Sequence, residues 1–70
     1  MSTEGTVLVL EPDPRGGWRV RRQSERLSVL RSVKKTDLVS RARRFAREIN
    51  ATLLIHRRDG SLEEEWVYPA

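Results

Sequence analysis

The dipeptide Asp59-Gly60 constrains this chain more than any other feature. It separates two runs, Thr52–Arg58 and Ser61–Tyr68, that both read as β-strands. Asp-Gly is a preferred two-residue type I′ turn, whose twist matches that of the strands it joins. Such a loop sets the pairing. Arg57 should face Leu62, Ile55 should face Glu64 and Leu53 should face Trp66. On the other side Arg58 pairs with Ser61, His56 with Glu63 and Leu54 with Glu65. A slip of one residue would turn every side chain over, so the apolar set Leu53, Ile55, Leu62, Trp66 and Tyr68 marks the inward face. Glu64 is the odd member of that face. It should either snorkel toward Arg57 or sit at a β-bulge. Pro69 is expected to end the regular structure.

An inward hairpin face needs a layer to cover it. Leu38, Ala42, Phe45 and Ile49 recur at steps of four, three and four, with Val39 and Ala46 beside them. That is one apolar stripe at helical spacing. Ser32 and Thr36 are both good N-caps, and Thr36 is the better placed. It puts Asp37 in the first turn, where Ser32 would put Lys34 and Lys35 against the helix dipole. Asn50 suits a left-handed helix stop.

Three further strands are expected before the helix. Thr6–Leu10 is β-branched and apolar. Glu11–Gly17 holds two prolines and two glycines and must turn. Trp18, Val20 and Arg22 alternate with Arg19, Arg21 and Gln23, the period of a half-buried strand. Residues 23–26 read as a turn and residues 27–31 as a short strand. The chain is thus expected to be a single small α+β domain, β-β-β-α-β-β, with one helix packed on a twisted antiparallel or mixed sheet. Residues 1–5 are expected to be a flexible N-terminus. The expected core is Val7, Val9, Trp18, Val20, Leu38, Ala42, Phe45, Ile49, Leu53, Ile55 and Trp66. Leu8, Leu10, Leu54 and Val67 would then line the outer sheet face. That face is apolar enough to suit a partner chain.

With 70 residues there is room for one domain and a small core. No cysteine is present, so neither a disulfide framework nor a thiolate metal site can form. The absence of staples suits a reducing, cytoplasmic setting. The longest apolar run, Val7-Leu8-Val9-Leu10, falls far short of a membrane span, and Glu4 precedes it where a secretory leader carries bases. The net charge of +4 conceals an asymmetry. Residues 15–58 hold all 14 bases and three acids, while residues 1–14 and 59–70 carry −3 and −4. Twelve of the bases are arginine, the residue best suited to bidentate contact with phosphate or carboxylate.

Several of these pieces occur together in a known family. Gly16-Gly17-Trp18, the alternation to Val20, the Arg/Ala-rich helix, Leu53-Leu54-Ile55-His56, Arg58-Asp59-Gly60 and the late Tyr68 resemble the small bacterial proteins of the domain of unknown function 2188 family. The resemblance covers roughly residues 10–68. It implies this fold outline and a bacterial cytosolic setting, and it supplies no catalytic residue. Family members usually open the helix with Thr-Lys and an acidic residue. Here the order is Lys35-Thr36-Asp37, which implies a shifted helix start.

The residues themselves point away from catalysis. His56 is the lone histidine and reads as a cross-strand partner of Glu63, because a metal site or triad needs further ligands. Of Glu63, Glu64 and Glu65, only the first and third share a strand face. Gly16-Gly17 lacks the spacing and following helix of a phosphate loop. Trp18 and Trp66 read as core. No catalytic residue, cofactor, metal ligand or small-molecule substrate is therefore expected. The informative surface is the outer helix face, where Arg41, Arg43, Arg44 and Arg47 cluster with Ser40 and Thr36, and only Glu48 is placed to pair, with Arg44. Like charges four residues apart mildly weaken an isolated helix. Such a face reads as an ordinary solvated surface, as an anion-binding surface for nucleic acid, or as a docking surface for an acidic protein. A second basic face is expected from Arg19, Arg21 and Arg58, with Arg31 nearby. The reading is a non-enzymatic module contacting the phosphate backbone of DNA or RNA through the helix arginines, without sequence readout. The alternative is a homodimeric interaction module using the outer sheet face or an edge strand.

Overall fold

The computed structural model describes residues 5–68 of the chain. Residues 1–4, most of the segment expected to be flexible, and Pro69 lie outside the described residues. The elements are β1 (Val7–Pro12), β2 (Trp18–Arg22), β3 (Ser28–Ser32), α1 (Lys35–Glu48), β4 (Thr52–His56) and β5 (Leu62–Val67). The strands form one mixed sheet in the order β3-β2-β1-β4-β5. β1 runs antiparallel to β2 and parallel to β4, and the other neighbours are antiparallel. The helix α1 carries the chain from the β3 edge across to β4 and covers one face of the sheet.

The core lies between α1 and that face. Leu8, Leu10, Trp18, Val20, Leu38, Ala42, Ala46, Ala51, Leu53 and Ile55 are buried together, and Phe45, Ile49, Trp66 and Tyr68 pack at its margin. β1 has the opposite facing from that expected. Leu8 and Leu10, not Val7 and Val9, point to the helix. Leu8 pairs with Leu53, and Leu10 with both Ile55 and Val20. A central strand is apolar on both faces, so its own sequence shows no alternation. Glu11 held the missing signal. It shares parity with Val7 and Val9, and a carboxylate at a strand end belongs on the open face. Val9 is nevertheless only 3% exposed, beside Arg21 and Leu54 on the outer side.

The helix begins earlier than a Thr36 cap would place it. Lys34 is the N-cap residue and makes no side-chain capping bond. The Ser32 hydroxyl instead accepts the Lys34 N–H at 3.2 Å, and Leu38 N–H donates to the Lys34 carbonyl at 3.2 Å. β3 leads so closely into α1 that the chain must turn at once. Asp37 still lies in the first turn. The C-terminal end follows expectation. Asn50 adopts φ 56°, and the N–H groups of Asn50 and Ala51 return to the carbonyls of Arg47 and Ala46.

The hairpin departs from the two-residue loop, and then recovers. Gly60 N–H donates to Arg57 O at 2.9 Å and Arg57 N–H to Ser61 O at 2.7 Å. Only Gly60 of the Asp-Gly pair has positive φ, 92°. The loop is therefore three residues, 58–60, and His56 faces Leu62 rather than Glu63. A bulge at Glu63 restores the register, so Ile55 faces Glu64, Leu54 faces Glu65 and Leu53 faces Trp66 as expected. Leu62 thereby moves off the helix side and is 49% exposed.

The β1–β2 turn depends on one glycine. Gly17 has φ 73°, and a Cβ there would lie 2.8 Å from the Ser32 carbonyl oxygen and 3.1 Å from Val33 Cα. Asp13 buttresses the turn from within. Its carboxylate accepts Arg15 N–H at 2.8 Å and faces Arg31 Nε at 3.1 Å.

Candidate functional site

Arg19 and Arg21 of β2 and Arg31 of β3 are each paired with a carboxylate of the fold. Glu11 and its cross-strand partner Arg19 lie on the outer face, with Arg21 one diagonal step away. Glu11 Oε2 accepts from Arg19 Nε at 2.9 Å and from Arg21 Nε at 2.8 Å. Arg21 Nη1 also donates to the carbonyls of Gln23 and Glu25, which ties down the β2–β3 turn. Burial raises the pKa of Glu11. The hydrogen bonds and charges of Arg21 and Arg19 outweigh it and hold the carboxyl below its ordinary range. Arg31 is likewise paired with Asp13, whose carboxyl is held low first by the Arg15 N–H and then by the Arg31 charge.

Arg58 does not join this set. Its guanidinium lies 5.0 Å from the centre of the Trp18 ring, which Lys35 approaches at 4.7 Å. Trp18 faces the helix, whereas Arg19 and Arg21 face away from it. The expected second basic face of Arg19, Arg21 and Arg58 is therefore not assembled.

The helix arginines divide into three kinds. Arg41 points toward β3, where its Nη1 donates to the Arg31 carbonyl at 3.3 Å. Arg43 points toward β5. Its guanidinium carbon stacks 3.9 Å from the centre of the Trp66 ring, and its Nε donates to the Tyr68 hydroxyl at 3.2 Å. Arg44 and Arg47 make no ion pair among the described residues, and the Arg44–Glu48 pair does not form. Arg43, Arg44 and Arg47 converge with Ser40 and Tyr68 on an open cleft of about 220 Å³. Arg41 lies outside it. Trp66 and Tyr68, which sequence pattern marks only as inward-facing apolar residues, also belong to this site. The register that places Trp66 opposite Leu53 put it beside α1, which was the available signal.

The acidic strand β5 also behaves differently from expectation. Glu63 leaves His56 and reaches Lys35 Nζ at 2.6 Å, a hydrogen bond that lowers its pKa. Glu64 accepts from Trp66 Nε1 at 3.2 Å, while Arg57 turns to Ser61 Oγ and the Leu62 carbonyl. No group of three His, Asp or Glu side chains among the described residues is arranged to hold a metal ion. No helix among the described residues is long and apolar enough to cross a membrane.

No curated protein and no solved structure matches the chain. A family model described as "Uncharacterized protein conserved in bacteria (DUF2188)" matches residues 7–68, from the start of β1 to the tyrosine of the cleft. The chain thus belongs to the DUF2188 family of bacterial proteins.

Proposed function

We propose that the protein is a non-enzymatic accessory module that contacts the phosphate backbone of nucleic acid through α1. Arg43, Arg44 and Arg47 form the contact and Arg41 borders it. One observation carries this reading: Arg44 and Arg47 have no acidic partner among the described residues, while Arg19, Arg21 and Arg31 are all paired. Unpaired guanidiniums on one face attract phosphate and release counterions on binding. Among the described residues no carboxylate or imidazole lines the cleft beside Ser40 or Tyr68, which favours binding over catalysis. Backbone contact alone reads no base sequence. A bacterial cytoplasm, where nucleic acid is abundant, suits such a module.

The test is fluorescence anisotropy with a mixed-sequence duplex. Three or four phosphate contacts predict that affinity falls about 40- to 150-fold between roughly 50 and 200 mM salt. The double variant Arg44→Glu, Arg47→Glu should lose binding and remain folded, with a modestly lower Tm because a glutamate at 47 opposes the helix dipole in the last turn of α1. No complex at 50 mM salt, or unchanged affinity in the double variant, refutes the proposal.

The competing reading is a homodimer. Leu27 and Val33, which flank edge strand β3, are 80% and 86% exposed, and this favours it. A monomer by sedimentation at high micromolar concentration would remove it.

A further inference from the structure

We infer that the cleft beside β5 seats a single phosphate group and that Arg43, rather than the freer Arg44 and Arg47, fixes its position. This rests on the reading of α1 as the phosphate-contacting face.

Arg43 differs from its neighbours in being held before any ligand arrives. Trp66 supports the flat face of its guanidinium at 3.9 Å, and Tyr68 accepts its Nε–H at 3.2 Å. Those two contacts restrain the guanidinium from two sides. One of its five N–H bonds is engaged, which leaves the two Nη groups as a fixed donor fork. Tyr68, having accepted from Arg43, keeps its own proton to donate. Ser40 lies three residues before Arg43 and four before Arg44, so its hydroxyl shares this helix face.

The chemistry of the lining selects the ligand class. Among the described residues, three guanidiniums and two hydroxyls line the cleft and no carboxylate does. A tetrahedral oxyanion can accept a bidentate pair from Arg43 and further bonds from the others. About 220 Å³ holds one phosphate group with bridging waters. A nucleobase would have to displace Arg43 to stack on the face of Trp66 that Arg43 occupies. Arg44 and Arg47 must be immobilised on binding and Arg43 need not be, so Arg43 returns more affinity per bond formed.

A backbone phosphodiester and a free polyphosphate present the same group, and two probes separate them. The full-length protein is titrated with inorganic pyrophosphate by NMR, following the arginine Nε–H signals, and with the mixed-sequence duplex by anisotropy. Each titration is repeated with Arg43→Lys, Arg44→Lys and Tyr68→Phe at constant salt, with circular dichroism confirming the fold. Arg43→Lys keeps the charge and loses the planar fork. It should weaken both probes about tenfold, a difference of about 1.4 kcal/mol. Arg44→Lys should change them less than about twofold, and Tyr68→Phe should fall between.

Equal effects of Arg43→Lys and Arg44→Lys would overturn the inference and leave nucleic-acid binding standing. Pyrophosphate binding with the Arg43 preference, but no duplex binding, would uphold the phosphate seat and refute the nucleic-acid reading. Binding of neither probe would refute both.

Discussion

Glu11→Gln isolates the element that removes two arginines from the outer sheet surface. The Glu11 side chain is 17% exposed, and those of Arg19 and Arg21 are 23% and 24% exposed. Glutamine keeps the size and one acceptor oxygen but loses the charge that both guanidiniums share. A hydrogen bond to a charged group contributes roughly 1.5–3 kcal/mol, and loss of one partner from a fully buried pair costs roughly 3–5 kcal/mol. Partial exposure screens this triad, so the expected loss is ~2 kcal/mol, or about 8–16 °C in Tm for a domain of this size. The assay is thermal unfolding by circular dichroism at neutral and acid pH. Because the folded-state pKa of Glu11 is depressed, its stabilisation is complete above the ordinary value of 4.5. It disappears as the pH falls through the lower folded value. The gap between wild type and Glu11→Gln should therefore be widest at neutral pH and narrow progressively as the pH falls below 4.5. Equal stability at pH 7, or a gap that persists unchanged into acid, would refute the argument.

Two further substitutions test the local fold. Gly17→Ala must place a Cβ 2.8 Å from a backbone oxygen at positive φ, and should lower stability by about 2–4 kcal/mol by urea titration. Gly16→Ala, at φ 110° with open space around it, should cost less. Lys34→Asp supplies the missing cap to α1 and reverses an unfavourable charge at its N-terminus. It should raise stability by about 1 kcal/mol, seen as a higher urea midpoint.

The order of elements, the helix stripe and the Asn50 stop were all legible because each is a local pattern with one dominant solution. β1 was not. Four consecutive apolar residues carry no alternation, and only Glu11 beyond them reveals which face is which. The hairpin was legible in its middle and not at its tip. The three-residue loop and the bulge at Glu63 cancel, so a register derived from a simpler loop is right for Ile55, Leu54 and Leu53 and wrong for His56. Among the arginines, sequence located the helix cluster. It did not reveal that Arg19 and Arg21 are consumed by one glutamate, since that depends on which side β1 turns outward. Nor did it show Arg58 crossing to Trp18, or Arg43 leaving its neighbours for Trp66 and Tyr68. Long flexible side chains choose partners through tertiary proximity, which strand period alone does not report.

The proposed contact through α1 differs from one through the outer sheet face in which residues a duplex would touch. Backbone amide shift mapping of the protein titrated with a short duplex at low salt tests it directly. Contact through α1 would concentrate the shifts on residues 40–48 and Tyr68 and leave Val9, Arg19 and Arg21 undisturbed. Shifts centred on Arg19 and Arg21, or none at saturating duplex, would contradict it.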